Sequence, residues 1–76
     1  MNSNANHSFC ESLRKIRTEN NLTQAELAKR IGVSRQQLVY WEVGKNLPSL
    51  PNLAVIARAL NVTLDTLVFG HQVDDA

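Results

Sequence analysis

The chain holds one cysteine, Cys10, in 76 residues. No internal disulfide can form, so the staple that many very small extracellular domains depend on is excluded, and the composition reads as intracellular. The two histidines, His7 and His71, have no cysteine or carboxylate partners at metal-ligand spacing, so no metal or other cofactor is expected. No apolar run approaches the roughly 18 residues of a membrane span. The opening MNSNANHS also lacks the basic and apolar regions of a secretory signal. A cytoplasmic chain without a membrane partner is the expectation. There is no glycine-rich phosphate loop and no cluster of catalytic carboxylates, and Ser34 has no histidine and acid at nucleophile spacing. An enzyme is therefore not expected. A chain this short makes one small domain, burying only about 60% of its unfolded surface.

Net charge is also scarce, at +1. Its distribution is uneven. Residues 11–46 carry seven Lys and Arg against four Glu, or +3, while beyond 46 Arg58 faces Asp65, Asp74 and Asp75, or −2. A basic half is compatible with an anionic partner. Two solvated faces of opposite sign would look the same.

What the sequence does have is helical periodicity from end to end, with no alternation of strand type. Phe9, Leu13 and Ile16 form one apolar stripe. Leu22, Ala25, Leu27, Ala28 and Ile31 form a second, and Val33, Leu38 and Trp41 a third. Leu50, Leu53, Ile56, Ala57 and Leu60 make a fourth, and Leu64, Leu67 and Val68 a fifth. Ser8 with Glu11, Thr23 with Glu26 and Ser34 with Gln37 fit capping boxes. Ser49 and Thr63 suit the remaining N-caps, and Pro51 suits a first helical turn. Asn21, Gly32, Gly44, Asn61 and Gly70 stand where left-handed C′ residues belong. The pattern predicts an all-α fold of five helices, about 8–20, 23–31, 34–43, 50–60 and 63–69. It also predicts a disordered polar tail over 1–7, a domain over 8–70 and a short acidic tail over 71–76. The connection 44–49 is the longest internal loop, and Asn46 and Leu47 before Pro48 should be extended.

The segment from Thr23 to Gly44 has the parts of a helix-turn-helix. Ala28 is small where the second helix crosses, and Gly32 tolerates the positive φ of the turn. Leu27, Ile31, Val33, Leu38 and Trp41 form the inner faces. The outer face of the second helix is then left with Arg35, Gln36, Val39 and Tyr40, with Gln37 at its flank. Arginine and glutamine have the donor and acceptor geometry to read guanine and adenine edges. Ser34 can cap the helix or meet a phosphate at its N-terminus.

These segments resemble the lambda repressor/Cro-like, or XRE-type, helix-turn-helix DNA-binding family. The resemblance runs from Phe9 to Gly70. It is carried by L-T-Q-A-E-L-A, G-V-S, W-E-x-G, P-S-L and A-L-N-V in that order. It implies a compact five-helix domain whose third helix enters the major groove. Base readout would fall to Arg35, Gln36, Gln37 and Tyr40. Backbone contacts would fall to Thr23, Gln24, Ser34, Lys45 and Asn46, with Gln24 also holding a neighbouring side chain of the recognition helix. Arg17 and Glu42 would form an ion pair joining the first helix to the end of the third. Tyr40 and Val39 are not diagnostic of a base sequence.

The function implied is a sequence-specific transcriptional regulator of bacterial or phage origin, a repressor that occupies a palindromic double-stranded DNA operator as a homodimer. Val68 and Phe69 are the candidate dimer surface, left over once Leu64 and Leu67 fill the core; alternatively Phe69 folds back onto its own core. A different class of function, an antitoxin gripping a toxin or an adaptor on the transcription machinery, would use the same fold. So would a non-specific nucleoid binder.

Overall fold

The computed structural model describes the backbone over residues 5–70 and side chains over residues 8–70. The acidic tail at 71–76, with His71, and the first four residues of the polar tail lie outside the described residues. Five helices follow one another: α1 (Ala5–Glu19), α2 (Gln24–Ile31), α3 (Arg35–Val43), α4 (Leu50–Leu60) and α5 (Leu64–Phe69). No strand occurs among the described residues.

Local chemistry explains the boundaries. Thr23, Ser34, Ser49 and Thr63 are N-caps, each accepting the amide three residues on. Each replaces a partner that the first turn of a helix lacks. The far ends are closed by left-handed residues: Gly32 at φ 79°, Gly44 at 82°, Gly70 at 85° and Asn61 at 58°. Two local expectations fail. Helix α1 starts at Ala5, so Ser8 is interior and caps nothing; no glycine or proline between 5 and 8 stops the helix from running back. Gln37 completes only half a capping box. Its amide N–H donates to Ser34 Oγ at 3.0 Å, but its side chain turns elsewhere.

The core joins one face of every helix. Phe9, Leu13, Ile16, Leu27, Ala28, Leu38, Trp41, Ile56, Ala57, Leu60 and Leu67 are buried in a single cluster. Helix α1 packs on α5 and α3, α2 on α3 and α4, and α4 on α5. Helix α5, only six residues long, could not persist alone. Leu67 anchors it in the core, and Ser12 Oγ from α1 donates to the Thr66 carbonyl at 2.9 Å. Ala25, Leu50 and Leu64 leave the expected stripes and are exposed. Leu50 and Leu64 are the first residues of their helices, where the stripe runs past the packed neighbours.

Candidate nucleic-acid interface

Helix α3 is short, nine residues or about 13 Å long, so its direction depends on what grips its ends. Glu42, in its last turn, is the main grip. It is 1% exposed, yet its carboxylate is well satisfied. Arg17 Nε donates to Oε2 at 2.6 Å and Nη2 to Oε1 at 3.1 Å, a two-point fit of guanidinium on carboxylate. Gln24 Nε2 donates to Oε1 at 3.0 Å. Arg14 Nη1 donates to the Glu42 backbone carbonyl at 3.0 Å, near the negative end of the helix dipole. Arg17 Nη1 also holds the Leu22 carbonyl at 2.8 Å, in the connection between α1 and α2. One carboxylate thus ties α1 and α2 to the end of α3.

The ion pair of Arg17 and Glu42 is therefore an inner brace rather than a surface pair. Gln24 was expected on the DNA backbone and on a neighbouring recognition-helix side chain; its amide nitrogen donates to Glu42, a side chain of α3. Arg14 escaped the sequence reading. The signal was its place three residues before Arg17, on the same side of α1.

At the opposite end of α3 the surface is open. Ser34, Arg35 and Gln36 are exposed, and neither Arg35 nor Gln36 has a side-chain partner among the described residues. The Ser34 oxygen caps the Gln37 amide, leaving its hydroxyl hydrogen to donate outward. Thr23 is similarly placed at the start of α2. Its oxygen accepts from Glu26 N at 3.0 Å, and its own N–H donates to Glu26 Oε1 at 2.8 Å. The bond from the Thr23 N–H, and after it the Thr23 hydroxyl, hold the Glu26 carboxyl below its ordinary value of 4.5.

Gln37 and Tyr40 differ from the first two candidate readers. Both are half-buried. The Gln37 amide donates to Asn46 Oδ1 at 3.2 Å, and the Lys45 ammonium lies 4.4 Å from the centre of the Tyr40 ring. Lys45 and Asn46 are exposed beside them. Farther away, Phe69 is 55% exposed and does not fold back into its own core. Val68 is half-buried and lines a small apolar cavity of about 170 Å³ with Phe9, Leu47, Pro48 and Leu53.

An exposed arginine and glutamine at a capped helix start, beside exposed Lys45 and Asn46, make a surface suited to phosphates and base edges. The family model for helix-turn-helix domains matches residues 13–67. The HTH-type transcriptional activator BcrR of Enterococcus faecalis is 41% identical over 64 residues, covering 84% of this chain and 31% of BcrR. The cryptic phage CTXphi transcriptional repressor RstR of Vibrio cholerae is 40% identical over 57 residues, covering 75% of this chain and 51% of RstR. This chain therefore spans about a third of the one relative and half of the other. The P22 c2 repressor, solved in complex with a synthetic operator, superimposes with a TM-score of 0.77 at 32% identity, covering 83% of this chain and 96% of that one.

Proposed function

This chain belongs to the helix-turn-helix family of DNA-binding transcriptional regulators, and from that premise we propose that it reads a specific double-stranded operator with the first turn of α3. The carrying observation is the pair Arg35 and Gln36, exposed and without side-chain partners among the described residues, at the capped start of a helix whose other end is held by Glu42. Entering the major groove N-terminus first, α3 brings these two side chains to base edges. Arg35 suits a guanine, where two donors meet O6 and N7; Gln36 suits an adenine. Thr23, Ser34, Lys45 and Asn46 suit phosphates, which position the domain without reading sequence.

One module of this size covers roughly 600–1,000 Å² of DNA interface, which limits specificity. A two-fold dimer on a palindromic operator is proposed for that reason, with the exposed Phe69 in its interface. Occupying an operator is enough to block transcription, so repression is the proposed sign. The relatives include a named activator as well as a named repressor, and a promoter-reporter assay decides.

The test of DNA binding is selection from a random-sequence duplex library, followed by titration at several salt concentrations. A selected sequence should emerge, and log affinity should fall linearly with log salt, by about 0.9 per phosphate contact. No enrichment together with a flat salt response would overturn the reading.

A further inference from the structure

The loop after α3 does not leave the helix; it doubles back along it. Gly44 takes the left-handed conformation at φ 82°, and Lys45 N then donates to the Tyr40 carbonyl at 2.9 Å. That closure sends residues 45 and 46 back beside the preceding turns of α3. Each meets an α3 side chain. The Lys45 ammonium sits over the Tyr40 ring at 4.4 Å, and Asn46 Oδ1 accepts from Gln37 Nε2 at 3.2 Å. Gln37 and Tyr40 are three residues apart and so lie on one side of the helix.

From this geometry we infer that Gln37 and Tyr40 are positioning residues: they hold Asn46 and Lys45 ready for phosphate rather than reading bases themselves. The inference rests on the DNA-binding reading above and changes the role of two of the four base readers that the resemblance implied. Three observations carry it. Gln37 and Tyr40 are half-buried, while Arg35 and Gln36 are exposed. The Gln37 NH2 group already donates to Asn46. The polarity of that bond is also right. With Oδ1 accepting from Gln37, the Asn46 NH2 group is the end left for a ligand, and a phosphate offers only acceptors. The reverse pairing would leave the amide oxygen for the phosphate and repel it. An ammonium resting on an aromatic face keeps its N–H donors available while its four-carbon stem is restrained. Binding then orders less of the loop than it would for a free lysine.

The test uses the full chain, the duplex it selects from a random library, and a mixed-sequence duplex of equal length. Tyr40→Leu should weaken binding to both duplexes about two- to five-fold, the worth of an exposed cation–π contact. It should make the salt slope shallower by up to about 0.9, one phosphate contact. Base preference at each operator position should stay the same. Tyr40→Phe, which keeps the ring, should restore the slope. In a Lys45→Ala background Tyr40→Leu should have no further effect, and in an Asn46→Ala background neither should Gln37→Ala. In the free protein the Lys45 ε-methylene protons should resonate upfield, under the ring current, and return downfield in Tyr40→Leu; this readout needs no DNA. A changed preference at any base pair, a Tyr40→Phe as impaired as Tyr40→Leu, or full additivity in both cycles would overturn the inference and leave DNA binding intact. A wild-type chain that bound neither duplex would bring down both.

Discussion

Removing the guanidinium of Arg17 should unfold a large part of the stability of this domain. Glu42 is 1% exposed, and two of its three side-chain hydrogen bonds come from Arg17. Arg17→Ala leaves a buried carboxylate with Gln24 alone, a change that costs about 3–5 kcal/mol at comparable sites. At about 0.05–0.15 kcal/mol per residue, a chain this long has a total stability of roughly 4–11 kcal/mol. The loss is thus between a quarter and all of it. In a small domain each kcal/mol moves Tm by about 4–8 °C, so a fall of at least about 12 °C is expected. Replacing both partners tests the cause. In Arg17→Met with Glu42→Leu no buried charge remains, and burying apolar groups in place of an ion pair is often neutral. The Leu22 carbonyl still loses its Arg17 donor and Gln24 its Glu42 acceptor, each worth about 1 kcal/mol. The double variant should therefore sit about 2 kcal/mol below wild type and above Arg17→Ala. Urea titration reads this directly through Trp41, the single tryptophan, which is buried next to Glu42 in the chain. Far-ultraviolet circular dichroism over the same titration checks two-state behaviour. A cost for Arg17→Ala under about 1 kcal/mol, the ordinary worth of an exposed pair, would refute the brace.

Three further outcomes follow from the same geometry. Glu26 has a folded-state pKa below its ordinary value because it accepts the Thr23 amide. Its contribution is therefore present above that ordinary value and lost as pH falls through the lower, folded one. Denaturation midpoints taken through that acid range should fall less steeply in Glu26→Gln than in wild type; parallel curves would contradict the cap assignment. Gly32→Ala places a Cβ in open space, with nothing within 4 Å, at φ +79°. Its cost is backbone strain alone, about 1–2 kcal/mol, and a midpoint unchanged from wild type would count against that turn geometry. Phe69→Asp should shift the association state toward monomer in sedimentation while helicity persists; an unchanged association state removes α5 from the proposed dimer surface.

The helix ends were legible because they are set by neighbours in sequence. Thr23, Ser34, Ser49 and Thr63 cap the amides three residues ahead, and Gly32, Gly44 and Asn61 close the helices behind them. The start of α1 misled, since Ser8 and Glu11 have the spacing of a capping box but a helix needs a reason to begin there, and residues 5–7 give none. Contacts between distant residues were less visible. That Glu42 collects Arg17 was implied by the resemblance, but no spacing shows that Gln24 and Arg14 converge on the same residue. The hydrogen bond from Ser12 to Thr66 spans 54 positions and depends on how α5 lies across α1. The site was half legible for a similar reason. Arg35 and Gln36 lie in the first turn, and their exposure follows from helix geometry. Gln37 and Tyr40 share the outer side by periodicity, but the loop that folds back over them is set by a left-handed residue whose consequence lies in three dimensions.

The central claim is that the first turn of α3 reads bases. Its most direct test is a panel of single-base variants of the selected operator, titrated with wild type, Arg35→Ala, Gln36→Ala and Lys45→Ala. Each of the first two substitutions should relax preference at one base pair per half-site, at a cost of roughly 1–3 kcal/mol on the preferred sequence. Lys45→Ala should weaken every sequence about equally, as a phosphate contact does. If Arg35→Ala and Gln36→Ala instead lowered affinity uniformly, with the pattern of preference intact, α3 would be gripping the DNA backbone and the account of readout would be wrong.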